Sequence, residues 1–276
     1  MNKEKKIKDF NKAAMTYEKN AVVQNIIIDE LVDQLSFIKI DPKYILDIGS
    51  GTGRLCRIIQ KKYPNAIIVN LDFSIEMLKE DRAKQNIFKK IFNKKNVYHI
   101  CCDFDQLPFT ENCFDLVISS SSFQWSTNLE KLFAMINKVL NNDGLLLFSA
   151  FIKDTFKELS DFDKNIVSKL NSAEDYVYFL QSNNFRDPVL LSDQYFVDYK
   201  SALHLLRDIK KLGVSKSESN KDSLYGKNYL KRLLSHLDSY KFNNKNRLSY
   251  SAVFGHAWKF NNNPLGVEEK QIKFIR

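Results

Sequence analysis

The segment Asp47-Ile48-Gly49-Ser50-Gly51-Thr52-Gly53 carries the clearest chemical content of this chain. Glycine lets a backbone approach a ligand where a side chain would stand in the way. A helix starting just after the segment would add free N–H groups and a partial positive charge, which suit an anionic group. The spacing is G-x-G-x-G after an acid. It therefore matches neither the G-x-G-x-x-G dinucleotide fingerprint nor the G-x-x-x-x-G-K-[ST] phosphate loop. Two more acids follow. Asp72 closes the next apolar run, where a carboxylate can accept both hydroxyls of a ribose. Asp103 closes the run after that, where it can take an adenine amino group. Three acidic strand ends in succession make a cradle for a nucleoside without a pyrophosphate clamp.

The elements that must position these residues alternate between two hydrophobic periods. Residues 44–48, 66–71, 97–102, 114–119 and 145–149 read as strands, with Cys101 and Cys102 in a buried one. Residues 54–62, 74–84 and 129–140 read as helices, with Ser74 as an N-cap. Apolar strands alternating with helices predict an α/β, doubly wound, mostly parallel sheet covered on both faces. Beyond Ala150, residues 154–184 read as helical, 189–197 as a strand and 199–212 as a helix. Residues 213–225 form a Ser/Lys/Asn-rich loop, 227–237 another helix, and 248–260 an alternating run that ends the sheet. No Pro/Gly linker divides the chain. The expectation is one domain over 1–276, with N-terminal lid helices at 1–39, a ligand-binding core at 40–150, a helical cap and late strand at 151–245, and a terminal strand at 246–276.

Composition sets the outer bounds. The chain has 276 residues, 44% hydrophobic and 27% charged, which excludes a disordered, collagen-like or disulfide-stapled protein. No apolar stretch approaches the ~20 residues of a membrane span, and the charged start leads into no signal-like apolar run. A cytoplasmic protein with no membrane partner is expected. The four cysteines form no CxxC and have no histidine at ligand spacing, so no metal site is expected. The net charge of +9 points either to a polyanionic partner or to a general richness in Lys, since the lysines are scattered.

The cradle resembles that of the class I S-adenosylmethionine-dependent methyltransferases. In that likeness Asp47 to Gly53, including Ser50 where the family commonly has Cys, form the first motif. Asp72 is the ribose acid, Asp103-Phe104 the adenine contact, and Phe114-Asp115-Leu116-Val117 the strand leading to the active site. It implies a Rossmann-like, seven-stranded sheet and S-adenosylmethionine as cofactor, with Phe73, Met77 and Ser119 also touching it.

A narrower resemblance spans nearly the whole chain. Residues 10–24 follow the pattern F-x-x-A-A-x-x-Y-[DE]-x-x-A-x-x-Q, from Phe10 through Tyr17 to Gln24. The run from Ser119 to Phe123-Gln124-Trp125 is similar to an SNLALQW segment, Leu205-Leu206-Arg207-Asp208-Ile209-Lys210 through Gly213 to an LLRxLKxxG helix, and Tyr250 to Gly255-His256-Ala257 to a terminal strand. Together they resemble the malonyl-[acyl-carrier protein] O-methyltransferase family of biotin synthesis.

The resemblance implies methyl transfer to the free carboxylate of a malonyl thioester, on carrier protein or on coenzyme A. The acidic carrier protein becomes the expected partner, and nucleic acid does not. A carboxylate is ionised at neutral pH, its ordinary pKa being ~4, so no general base is needed. Tyr17, Gln124 and Trp125 are the expected active-site residues. Arg207, Lys210 and Lys169 are expected to meet the substrate, although Lys169 replaces the family's Arg and cannot make its two-pronged contact. Two other readings share the 40–150 core: a methyltransferase of another small carboxylate or quinone-like ring, and a protein that binds the cofactor only as an assembly factor.

Overall fold

Strands whose neighbouring side chains are all apolar must be covered on both sides. The computed structural model, which describes residues 3–92, 96–211 and 226–260, has that architecture. Two helices, α1 (Lys3–Asn20) and α2 (Val22–Ser36), precede the sheet. The core then alternates: β1 (Tyr44–Ile48), α3 (Arg54–Lys62), β2 (Ile67–Asp72), α4 (Ile75–Phe92), β3 (Val97–Cys101), β4 (Phe114–Ser120), α5 (Leu129–Val139) and β5 (Leu140–Phe151). The later part comprises α6 (Lys157–Ser160), α7 (Ala173–Ser182), β6 (Phe185–Tyr199), α8 (Ala202–Lys211), α9 (Lys227–Ser239), β7 (Lys241–Phe242) and β8 (Lys245–Lys259).

The main path of the sheet runs β3-β2-β1-β4-β5-β8-β6, and the two-residue β7 pairs with β8 beside it. Pairing is parallel from β3 to β5 and antiparallel around β8. The expected α/β doubly wound, mostly parallel sheet is therefore present. Strand order reverses between β1 and β4, and in such sheets ligands bind outside the carboxyl ends of the strands at that point.

Period-2 alternation assigns the two faces. Ile45, Leu116, Ile118, Leu145 and Leu147 join α2, α3, α8 and α9 on one side. Leu46, Ile48, Val117, Leu146 and Phe148 join α5 and α7 on the other. Burying a Leu or Ile side chain contributes roughly 1.5–3 kcal/mol, and both faces of the central strands gain from it. No described helix is long and apolar enough to cross a membrane.

Three local expectations are corrected. Residues 154–184 do not form one helix: only α6 and α7 are helical. Phe156 takes a left-handed backbone, φ 60°, and the Asp163 carboxylate accepts the Asn165 N–H in a turn at 2.9 Å. The apolar spacing of Phe162, Ile166, Val167 and Leu170 comes instead from an irregular segment packed on the core. β3 is an edge strand, so Cys101 is exposed rather than buried. β5 starts earlier than expected because Leu140 pairs with Phe114 across an irregularity in register. The expected loop at 213–225 lies outside the described residues, as do Leu212 and 261–276.

Candidate active site

Gly49, Gly51 and Gly53 all have positive φ, between 55° and 75°. The chain uses them to fold the end of β1 back over the sheet before α3 begins. At Gly53 the need is also steric, because a Cβ there would run into the Asp81 carboxylate. At Gly51 a Cβ would meet nothing within 4 Å, which leaves the Gly51 backbone open to a ligand. The turn is tied to β2: Gly49 and Ser50 donate to the Leu71 carbonyl at 2.7 and 3.1 Å. Gly51 donates to Asp72 Oδ2 at 2.9 Å. Ser74 donates its N–H to Asp72 Oδ1 at 2.8 Å, and its hydroxyl accepts the Met77 N–H as the expected cap of α4.

Asp72 is thus fixed by backbone donors, with lone pairs left for a diol. Burial pushes its carboxyl up to about 6, against the pull of those two hydrogen bonds. Asp47 is more deeply placed. Burial, followed by the charges of Asp81 and Asp72, raises it well above the ordinary carboxylate range, and its Oδ2 has no hydrogen-bond partner among the described residues.

These residues open onto a cleft of about 740 Å³. Asp47, Gly49, Ser50, Gly51, Asp72, Phe73, Met77 and Phe104 line it, as do Tyr17 and Trp125. Three of the expected cofactor residues do not. Gly53 supports the turn from below. Ser119 is fully buried and donates its hydroxyl to the Ile48 carbonyl at 2.9 Å, so the next three serines, Ser120 to Ser122, reach the cleft in its place. The Asp103 carboxylate accepts from Lys3 Nζ at 2.6 Å, and Lys3 also binds Asp105 at 2.5 Å.

A second, adjoining cavity of about 520 Å³ is lined by Phe10, Tyr17, Gln24, Ser121, Gln124, Trp125, Phe151, Thr155, Phe156, Val167, Ser168 and Leu170. None of these is charged. Five of them, Phe10, Tyr17, Gln24, Ser121 and Trp125, line both cavities and so mark the junction.

Helix α1 closes the junction from above. Phe10 packs edge-on against Phe73 and Trp125, with centroids 5.5 and 5.7 Å away, and Lys6 Nζ lies 4.7 Å from the Trp125 ring centroid. Such aromatic and cation–π contacts contribute roughly 0.5–1.5 kcal/mol each. Glu18, one residue past Tyr17, anchors the helix to the core through Arg57 at 2.9 Å, Lys84 and Thr52. Burial alone would raise the Glu18 carboxyl, yet Lys84 and Arg57 hold it below its ordinary value. Burial and the Asp72 charge push the Tyr17 phenol up to about 12. Tyr17 therefore stays protonated at neutral pH and is not a base.

The structure brings Tyr17, Gln124 and Trp125 together at the cavities, but it gives Gln124 a different task. Its Nε2 donates to the Ser121 carbonyl at 2.6 Å, and its Oε1 accepts the Phe151 N–H at 3.4 Å. The amide thus braces the turn after β4 against the end of β5. Arg207 and Lys210 are exposed on α8 and line neither cavity. Lys169 is exposed between two lining residues, Ser168 and Leu170. Sequence reasoning missed Phe10, Gln24 and the Ser120–Ser122 run as lining residues. The first two ended or began a quoted pattern, which was the available signal.

Comparison with known proteins places these features. Residues 46–148 match a family model described as a methyltransferase domain. Malonyl-[acyl-carrier protein] O-methyltransferase of Gallionella capsiferriformans is 31% identical over 256 residues, covering 91% of this chain and 88% of that protein. The protein of the same name from Legionella pneumophila is 32% identical over 259 residues, covering 91% and 89%. In fold, the YcgJ protein of Bacillus subtilis superposes with a TM-score of 0.61 at 14% identity, over 84% of this chain and 98% of that one.

Proposed function

Because the chain belongs to the malonyl-[acyl-carrier protein] O-methyltransferase family, we propose that it methylates the free carboxylate of a malonyl thioester carried on acyl-carrier protein. The observation that carries this reading is the pair of joined cavities, one polar and acid-lined, the other uncharged, meeting at Tyr17 and Gln24. When bound, S-adenosylmethionine supplies an electrophilic sulfonium methyl group. The donor cleft fits it: Asp72 has backbone-fixed oxygens for a diol, Gly51 leaves its backbone open, and Asp47 Oδ2 awaits a partner. Phe73, Met77 and Phe104 offer apolar surface for a base.

The acceptor carboxylate attacks in line. With S-adenosylmethionine bound, its oxygen would form the new C–O bond as the S–C bond breaks and leaves its electron pair on sulfur. No proton moves, which agrees with a site whose tyrosine is locked in its protonated form. The protein's contribution is to align the two reactants and keep water out. Phe10, Trp125 and the α1 lid serve the second task, and Tyr17 the first. Residues 40–150 then hold the donor, residues 1–39 close over it, and residues 151–245 shape the acceptor side.

Exposed Lys169, Arg207 and Lys210 belong, in this reading, to the approach of an acidic carrier protein, where charge speeds encounter. The product is a neutral methyl ester that an elongation enzyme meets as an ordinary acyl end, as in the start of biotin synthesis. The place of action is the cytoplasm. The test is labelled methyl transfer to malonyl-carrier protein, beside malonyl-coenzyme A, free malonate and RNA. Transfer to the malonyl thioesters is expected, and no transfer to either would overturn the reading.

A further inference from the structure

Gln24 is poorly explained as a packing residue. It lies on α2 with 7% of its surface exposed, and the surface it keeps opens onto the cavities rather than onto the core. A polar amide on the wall of a mostly apolar cavity is the kind of group that fixes the orientation of a ligand there. Gln24 lines both cavities and so stands at their junction. Beside it at the junction, the Ser121 hydroxyl is buried with no hydrogen-bond partner among the described residues, on a left-handed backbone with φ 53°.

The charge around this point is distributed unevenly. Asp47, Asp72, Glu18 and Arg54 line the donor cleft, whereas none of the described residues lining the acceptor cavity is charged. An anionic acceptor therefore finds no cation among the described residues that line the second cavity. Resting on the function proposed above, we propose that the Gln24 carboxamide receives the acceptor's free carboxylate through its Nε2 donor, doing the work that a Lys or Arg clamp would do elsewhere.

The chemistry favours this choice. Joining an anionic carboxylate to a cationic methyl donor removes charge as the bond forms. A lysine or arginine against that carboxylate would stabilise the reactant more than the transition state, and only interactions stronger in the transition state speed the step. A neutral amide orients the carboxylate without holding its charge so firmly. Tyr17, protonated at neutral pH, offers a second neutral donor at the same junction.

The experiment compares wild type with Gln24→Leu and Gln24→Glu, using malonyl- and acetyl-carrier protein as probes. In calorimetry without cofactor, wild type should bind the malonyl form more tightly than the acetyl form. Gln24→Leu should narrow that preference about tenfold, and Gln24→Glu should abolish it. In turnover, Gln24→Leu should raise the KM for malonyl-carrier protein about 10- to 100-fold, the range for losing one hydrogen bond to a charged group. Its kcat should stay within about threefold of wild type. Gln24→Leu keeps the side-chain volume on a helix, so it should melt no lower than wild type, and Gln24→Glu is nearly isosteric should that fail. A wild-type preference and KM in either variant would show that Gln24 only packs. Wild type that transfers no methyl to malonyl-carrier protein would overturn the function itself, and this assignment with it.

Discussion

The two cavities differ in how they are made. The donor cleft takes its chemistry from residues close together in the chain, Asp47 to Thr52 and Asp72 to Met77, held by backbone hydrogen bonds across two adjacent strands. The acceptor cavity draws on α1, α2, the turn after β4, the end of β5 and the chain on either side of α6, and none of the described residues lining it is charged. The first is a rigid polar cradle built on strand ends. The second is a neutral chamber that exists only once distant helices have packed. The contrast matches the two reactants, one bound by its polar nucleoside, the other by a carboxylate that must stay reactive.

The sharpest way to test that division is Asp72→Ala. It removes the acceptor for two backbone donors and for the expected diol, and hydrogen bonds to a charged group contribute roughly 1.5–3 kcal/mol each. Cofactor affinity by calorimetry should fall by about 100-fold or more, while binding of malonyl-carrier protein stays within about threefold. Unchanged cofactor affinity would erase the distinction between the cavities.

Tyr17→Phe should act on the other side of the junction. Turnover is expected to drop about tenfold, as for loss of one donor, with cofactor affinity within about twofold. Equal single-turnover rates for the two proteins would reduce Tyr17 to packing.

The smallest effect is a pH dependence confined to the donor cleft. Asp72 is raised to about 6, so in the free protein it keeps its proton further into the neutral range than an ordinary carboxyl. The diol needs the ionised form as acceptor. Cofactor affinity should therefore rise with pH through about 6 and weaken about fourfold half a unit below it. Asp47 and Asp81 lie nearby and Tyr17 faces the same carboxylate, so Asp72→Asn is the control that should flatten the profile. An equally steep profile in that variant would assign the titration to a neighbour.

Much of the donor cleft was legible because its motif is local. A strand, a glycine turn and a helix follow one another within residues 44–62, and the acids sit at strand ends that apolar runs mark plainly. Ser119 and Ser121 show where this stops. Both belong to a run of serines at the end of an apolar strand; Ser119 is still within β4 and bonds the Ile48 carbonyl, while Ser121 leaves the strand on a left-handed backbone and reaches the cavities. Gln124 was legible as a neighbour of the site, but its role depends on Ser121 and on Phe151 far along the chain. The irregular segment at 161–172 misled because helical spacing and packing on a core can present the same apolar residues.

The sequence by itself determined the sheet, its two apolar faces and the acid-glycine cradle, because period-2 alternation and a glycine turn act over a few residues. Only the tertiary structure decided the acceptor side. It placed Phe10, Tyr17 and Gln24 over strand ends remote in sequence, left Arg207 and Lys210 outside, and made the chamber neutral. That outcome depends on how helices dock, which is set by the shape and burial of many side chains together rather than by the spacing of any few.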